Sequence, residues 1–131
     1  MKFFIDTANI DQIKEAIDLG ILDGVTTNPS LMAKEGIVGE DNIRKHYLAI
    51  AELVDGDVSA EVISTDFKGM VREGEILADL AENIIVKIPM IKDGVKAISY
   101  FANKGIEPNC NLVFSSGQAL LAAKAGAPKV S

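Results

Sequence analysis

The sequence predicts an α/β fold built on a parallel sheet. Three observations carry this: short apolar runs alternate with amphipathic stretches along the chain, no linker or low-complexity tract interrupts the alternation, and several amphipathic stretches end at a glycine. Strands and helices in strict alternation need crossover connections, and these lay neighbouring strands parallel. The 131 residues suffice for one sizeable core, and residues 1–131 read as a single domain.

The first strand is expected over Lys2–Asp6. A helix follows with Asn9 as N-cap and Gln12 three residues on, the spacing of a capping box; Ile10, Ile13 and Ile17 form its apolar stripe and Gly20 stops it. Gly24–Asn28 is the second strand, ended by Pro29, with a short helical piece near Ser30–Lys34. A longer helix over about Asn42–Val54 turns Ile43, Tyr47, Ile50 and Val54 to one side. The third strand is Asp57–Ile63, and the helix after it, Asp66–Leu80, is weakened by Gly69 and Gly74. Ile84–Ile88 is the fourth strand, apolar except for Lys87. The helix Gly94–Lys104 presents Val95, Ile98 and Phe101 inward and ends at Gly105. A fifth strand over Asn109–Phe114, an Ala/Leu-rich helix over Gly117–Ala125 and a short sixth strand at Lys129–Ser131 complete the order.

Composition narrows the function classes. The net charge is -6 and no basic cluster stands out, which argues against nucleic-acid binding. Cys110 is the single cysteine, so no disulfide forms within the chain, and it reads as a buried apolar thiol. His46 is the single histidine and lies among charged residues, which supports no metal site. No apolar run reaches the ~20 residues of a membrane span. The start, Met-Lys-Phe-Phe-Ile-Asp, turns acidic too early for a signal peptide. A reducing, cytoplasmic setting is expected.

Side chains alternate across a strand, so each expected strand can be split into two faces. One face is apolar or small. The other carries Asp6, then Thr26 and Asn28, then Ser59 and Glu61, then Lys87, then Asn109 and Asn111, mostly toward the C-terminal ends of the strands. A doubly wound open sheet covers both faces with helices and should be apolar on both. A closed β/α barrel turns one face inward and gathers its functional residues at the C-terminal mouth. The polar face therefore favours a parallel β/α barrel of the TIM type, here of about five to six β/α units, with a rearranged open doubly wound sheet as the alternative. Phe4, Ile85 and Val113 are the expected apolar residues of the inward face.

Each polar residue has two readings at this point. A buried ammonium is costly unless paired or neutralised, and desolvation favours the neutral amine that imine formation requires. Lys87 is thus either a nucleophile or half of a structural ion pair with Asp6 or Glu61. Asp6 is either a general acid/base or an anchor for the first helix. Glu61 either handles a water or is the salt-bridge partner of Lys87. Thr26 and Asn28 either meet substrate hydroxyls or serve the turn before Pro29.

The stretches Phe-Ile-Asp-Thr-Ala (4–8), Gly-Val-Thr-Thr-Asn-Pro-Ser (24–30), Val-Ser-Ala-Glu-Val (58–62) and Ile-Val-Lys-Ile-Pro (85–89) resemble the small transaldolases and their fructose-6-phosphate aldolase relatives. Asn-Cys-Asn-Leu-Val-Phe-Ser (109–115) and the segment 118–127 continue the resemblance in order. It implies a Schiff-base mechanism with no metal or organic cofactor. Lys87 would form an imine with a ketose phosphate, Asp6 would accept a hydroxyl proton as the C3–C4 bond breaks, and Glu61 would manage the water of imine formation. A dihydroxyacetone unit would pass to an aldose phosphate. Thr26, Asn28, Asn111 and Ser131 would line the substrate site.

The resemblance has departures. Position 111 is Asn where the family has a Thr that helps hold the catalytic water. Pro128 and Lys129 also differ, and alternation aims Lys129 inward. The match corresponds to the N-terminal portion of the family's barrel, without its phosphate-binding arginine. It therefore implies a truncated barrel with lost activity, or an inactive or engineered fragment, and open strand edges that pair in a homo-oligomer.

Overall fold

Six strands and six helices form in the computed structural model, which describes residues 1–131. In order they are β1 (Phe4–Asp6), α1 (Ile10–Asp18), β2 (Gly24–Thr26), α2 (Pro29–Lys34), α3 (Glu40–Leu53), β3 (Asp57–Glu61), α4 (Phe67–Ala78), β4 (Ile84–Pro89), α5 (Lys92–Lys104), β5 (Pro108–Asn111), α6 (Ser116–Ala125) and β6 (Lys129–Val130). Two compact units contain them: Met1–Ala60 with Asp79–Ile84, and Glu61–Ala78 with Ile85–Ser131. Within each unit the strands are parallel and neighbours in chain order. A doubly wound sheet reverses its strand order at a switch point. Chain order without reversal is the arrangement of the β/α-barrel class, and the open doubly wound alternative is set aside. No helix is long and apolar enough to cross a membrane.

In the first unit, β1 pairs with β2 in the register Phe4↔Gly24 and Asp6↔Thr26, and β2 with β3 as Gly24↔Asp57 and Thr26↔Ser59. Gly24 has a steric reason. A Cβ there would run into the Phe4 ring and the Asp57 carbonyl. The core is Ile13, Val25, Met32, Tyr47, Ile50 and Val58, all essentially inaccessible. Ile17, expected on the apolar stripe of α1, remains 36% exposed. Asn9 caps α1 by accepting from the Gln12 amide at 3.0 Å. Gln12 does not return the bond directly, as a capping box would. Its Oε1 accepts from Thr7 Oγ1 at 2.6 Å, and Thr7 Oγ1 accepts from the Asn9 amide at 3.1 Å, so a threonine completes the cap.

Asn83 ties the end of α3 to the start of β3. Its Nδ2 faces the carbonyls of Ala51, Val54 and Gly56 at 3.0, 2.9 and 3.0 Å. Of these, the Ala51 carbonyl is one that the end of α3 leaves without an intrahelical partner.

In the second unit, Lys87 pairs in register with Asn109 and Pro89 with Asn111, and Asn109 pairs in turn with Lys129. The core is Met70, Val86, Ile88, Ile98, Phe101 and Cys110, each 0% exposed. Gly74 lies where a Cβ would strike the Phe101 ring and Val86, so its low helix propensity is exchanged for close packing of α4. Gly94 likewise lets the first turn of α5 reach the Pro89 carbonyl.

Two expected strands are shorter than the apolar pattern implied. β3 stops at Glu61, and Ile63 lies 69% exposed beyond it. β5 stops at Asn111 because Leu112 takes φ +60, a left-handed conformation rare for a branched side chain, which breaks the alternation. Val113 therefore lies outside the strand whose inward face it was expected to share.

The segment after β3 is held by Glu73. Its carboxylate accepts from the Ile63 amide at 2.7 Å, the Ser64 amide at 3.0 Å and the Ser64 hydroxyl. Burial acts to raise the Glu73 pKa, but these hydrogen bonds to the charged form, with Arg72 nearby, leave it below the ordinary glutamate value.

Two stability measurements check these anchors. Asn83→Asp would turn acceptors toward three carbonyls and is expected to cost about 2–3 kcal/mol by urea unfolding, against about 1–2 kcal/mol for Asn83→Ala. Glu73→Gln is expected to cost about 1–2 kcal/mol at neutral pH. Because the folded Glu73 pKa is lowered, its contribution is complete above the ordinary value of about 4.3 and fades as pH falls through the folded value. The difference from wild type should therefore close in acid; a gap that persists there would refute the ionised clamp.

Candidate functional site

The sequence-predicted residues of the first unit lie at the ends of its strands. Asp6 closes β1 and is exposed, and Thr26 closes β2. Register sets them side by side, and Thr26 Oγ1 donates to Asp6 Oδ1 at 2.8 Å. The N-cap of α1 is Asn9 rather than Asp6. Asn28 does serve the turn. Its Oδ1 accepts from the Leu31 amide at 2.9 Å as the N-cap of α2, with Pro29 at the first helical position. The Asn28 amide nitrogen is the part of that side chain not used by the cap. Thr27 Oγ1, beside it, is buried without a hydrogen-bond partner.

In the second unit the geometry is tighter. Lys87 sits in β4, flanked by Val86 and Ile88, both 0% exposed, and is itself 7% exposed. Its Nζ lies 3.2 Å from Glu61 Oε2, with side-chain exposures of 9% and 20%. The other oxygen, Glu61 Oε1, accepts from Asn111 Nδ2 at 3.0 Å. One carboxylate thus joins the buried ammonium to the buried amide. Taking two charges out of water costs several kcal/mol per ion, and a pair recovers this only when the remaining lone pairs are also met. Asn111 helps meet that condition.

Below this cluster on the same strand face, Asn109 is 3% exposed and accepts through Oδ1 from Ser131 Oγ at 3.1 Å. Ser131 continues from β6, its amide donating to the Cys110 carbonyl at 2.8 Å and its carbonyl accepting from Val113 at 2.9 Å. Lys129 shares the register of Lys87 and Asn109, as alternation required, and its charge is met by Glu107. Asn109 is the residue that sequence reasoning left out of the site. Its i, i+2 relation to Asn111 on one strand face was the available signal.

Other features lie apart from this chemistry. Cys110 is buried, and burial pushes its thiol pKa up, which disfavours a reactive thiolate. His46 is bound through Nε2 to the Ala8 carbonyl at 2.7 Å, and so donates there. No three His, Cys, Asp or Glu side chains gather as a metal site would. A shallow cleft in the first unit, lined by Gly36, Ile37, Asn42, Lys45, His46 and Ala49, contains none of the predicted residues.

Residues 3–131 match the family model described as Transaldolase/Fructose-6-phosphate aldolase. Among curated relatives, the "Probable transaldolase" of Cytophaga hutchinsonii is 71% identical over 131 residues, that of Porphyromonas gingivalis 70%, and that of Parabacteroides distasonis 72%. Each alignment covers 100% of this chain and 60% of the relative, so the chain spans 60% of the length of the proteins it matches. A match over nearly all residues, joined to parallel strands in chain order, places the chain in the transaldolase/fructose-6-phosphate aldolase family.

Proposed function

We propose that Lys87 is the Schiff-base nucleophile of a transaldolase-type transfer of a dihydroxyacetone unit between sugar phosphates. The observation that carries the reading is the buried Lys87 amine 3.2 Å from Glu61 Oε2 in a chain of this family. Lys87 Nζ passes a proton to Glu61 and attacks the ketose carbonyl carbon. The resulting carbinolamine expels its oxygen as water, with Glu61 returning the proton. The protonated imine then draws electrons from the C3–C4 bond while Asp6 takes the proton of the C4 hydroxyl, releasing an aldose phosphate. The enamine left behind adds to a second aldose phosphate, and hydrolysis frees Lys87.

Thr26 and Asn28 hydrogen-bond the hydroxyls of the dihydroxyacetone unit, and Asn111 and Ser131 complete the polar lining. The imine is its own electron sink, so the scheme calls for no metal or organic cofactor. The reading includes a cytoplasmic setting, as for sugar-phosphate metabolism in general, and one partial barrel domain.

The 60% span favours a second reading, in which the chain folds but completes no turnover and is an inactive fragment, natural or engineered. Part of the family's substrate clamp then lies in sequence that this chain does not match, and remote binding contributes to rate as well as affinity.

The second unit also supports self-association. Leu112, Phe114, Leu120 and Leu121 are 56%, 83%, 71% and 57% exposed, and α6 buries only Ala122. Large apolar side chains left this exposed gain free energy by leaving water against a partner. We take a second copy of the chain as the occupant.

Borohydride reduction with dihydroxyacetone or fructose 6-phosphate, followed by intact mass, tests the chemistry. A covalent adduct is expected on wild type and none on Lys87→Met; absence of adduct on folded wild type would end the Schiff-base reading. An adduct without transfer between sugar phosphates in a coupled assay is the outcome expected of the inactive fragment. Light scattering is expected to give a dimer or larger, shifted toward monomer by a Phe114→Ser, Leu120→Asp pair. A monomeric wild type at high micromolar concentration would sink the association.

A further inference from the structure

We infer that Glu73 is a positioning residue for the amine chemistry: it fixes the chain just past Glu61 and so sets where the Glu61 carboxylate meets Lys87. The inference rests on the Schiff-base reading of Lys87. Three successive amides follow Glu61. The first, of Val62, donates to the Lys87 carbonyl at 3.1 Å. The next two, of Ile63 and Ser64, donate to Glu73 Oε2 at 2.7 and 3.0 Å, and the Ser64 hydroxyl donates to Glu73 Oε1. One strand and one side chain thus hold every amide from 62 to 64. Apolar burial ends at Val62, because Ile63 is 69% exposed. Ser64 is also seated sterically. A Cβ on Gly69 would run into Ser64 Cβ and Oγ, so the bare backbone of α4 leaves the room that Ser64 occupies.

The grip bears on the reaction through distance. Glu61 Oε2 lies 3.2 Å from Lys87 Nζ. In the proposed chemistry it takes a proton from Nζ. The freed lone pair attacks the ketone carbon, the carbonyl π pair moves to oxygen, and the returned proton lets that oxygen leave as water. Proton transfer needs heavy atoms within about 2.6–3.2 Å, so the pair stands at the outer edge of that reach. A drift of the strand end carries the carboxylate out of it, and a misplacement of about 1 Å costs about 100-fold in rate. Asn111 holds the carboxylate head at 3.0 Å, while Glu73 holds the backbone from which that side chain extends. Glu73 spends both oxygens on the loop, so its route to the amine runs through Glu61. A distant effect of its charge on the ammonium is the alternative. Gly69→Ala separates the two, because it displaces Ser64 while Glu73 keeps its charge.

The test is a double-mutant cycle on borohydride trapping of dihydroxyacetone, with borohydride in excess so that imine formation limits the rate. Glu73→Gln and Gly69→Ala are each measured with Glu61 present and in a Glu61→Gln background, over a ketone concentration series, on protein shown to be folded by circular dichroism. With Glu61 present, each is expected to lower the saturating rate about 10-fold while the half-saturating concentration moves less than about 2-fold. In the Glu61→Gln background the same substitutions are expected to change the slow residual rate by less than about 2-fold, because the group they position is gone. Should Gly69→Ala fail to fold, Glu73→Asp, which keeps the charge and shortens the reach, takes its place. No loss with Glu61 present, or equal losses in both backgrounds, would overturn the inference. A loss from Glu73→Gln without one from the charge-keeping variant would overturn it in favour of a charge effect. Each of these results leaves the Schiff base standing. Failure of folded wild type to trap the ketone removes the Schiff base and this inference with it.

Discussion

A lysine ammonium in an apolar strand is the constraint on which the second unit depends. Lys87 is itself only 7% exposed, so the charge has to be met by protein. Glu61 meets it at 3.2 Å and is in turn held through its other oxygen by Asn111. Each member answers a need created by the next: the ammonium needs an anion, the half-buried carboxylate needs a second donor, and the buried amide needs an acceptor. Removing one member leaves a charge or a dipole unmet in a medium that screens poorly. The same interdependence that makes the cluster costly to disturb makes it precise.

Precision also needs a backbone that holds still, and the chain supplies a local device at each strand exit of this unit. Just past Glu61, the Glu73 carboxylate gathers the amides of Ile63 and Ser64. After Pro89, Gly94 lets α5 close onto the strand's last carbonyl. After Asn111, Leu112 turns the chain away through a left-handed conformation that costs about 1–2 kcal/mol. Strained backbone of this kind persists where the surroundings over-determine it, often beside functional groups. Here it ends β5 at the residue whose amide grips Glu61.

The strand face behind the cluster repeats the same electrostatic logic. Register carries Lys87 across to Asn109 and on to Lys129, two lysines on one face. Each has its own carboxylate, Glu61 for Lys87 and Glu107 for Lys129. The charge at position 129 is thereby met by a carboxylate rather than left isolated. Asn109 lies between the two lysines in register and receives Ser131, which ties the last residue of the chain to the polar face.

The element order, the parallel class and the polar face were legible in the sequence, because period-two alternation and glycine stops are local signals that depend on few neighbours. The same alternation put Lys87, Asn109, Asn111 and Lys129 on one face, and the motifs around Lys87 were enough to identify the family. What the sequence left open was which reading of each polar residue holds, since a partner distant along the chain leaves no local trace. Tertiary structure decided that Lys87 pairs with Glu61, that Asn28 spends its Oδ1 on a helix cap, and that Thr7 completes the Asn9 cap. It also shortened β3 and β5, because the apolar pattern continues past Glu61 and Asn111 while the hydrogen-bonded ladder does not. The hold of the Asn111 amide on Glu61 belongs to the same class: the carboxylate lies 50 residues away in sequence, and only folding brings it there.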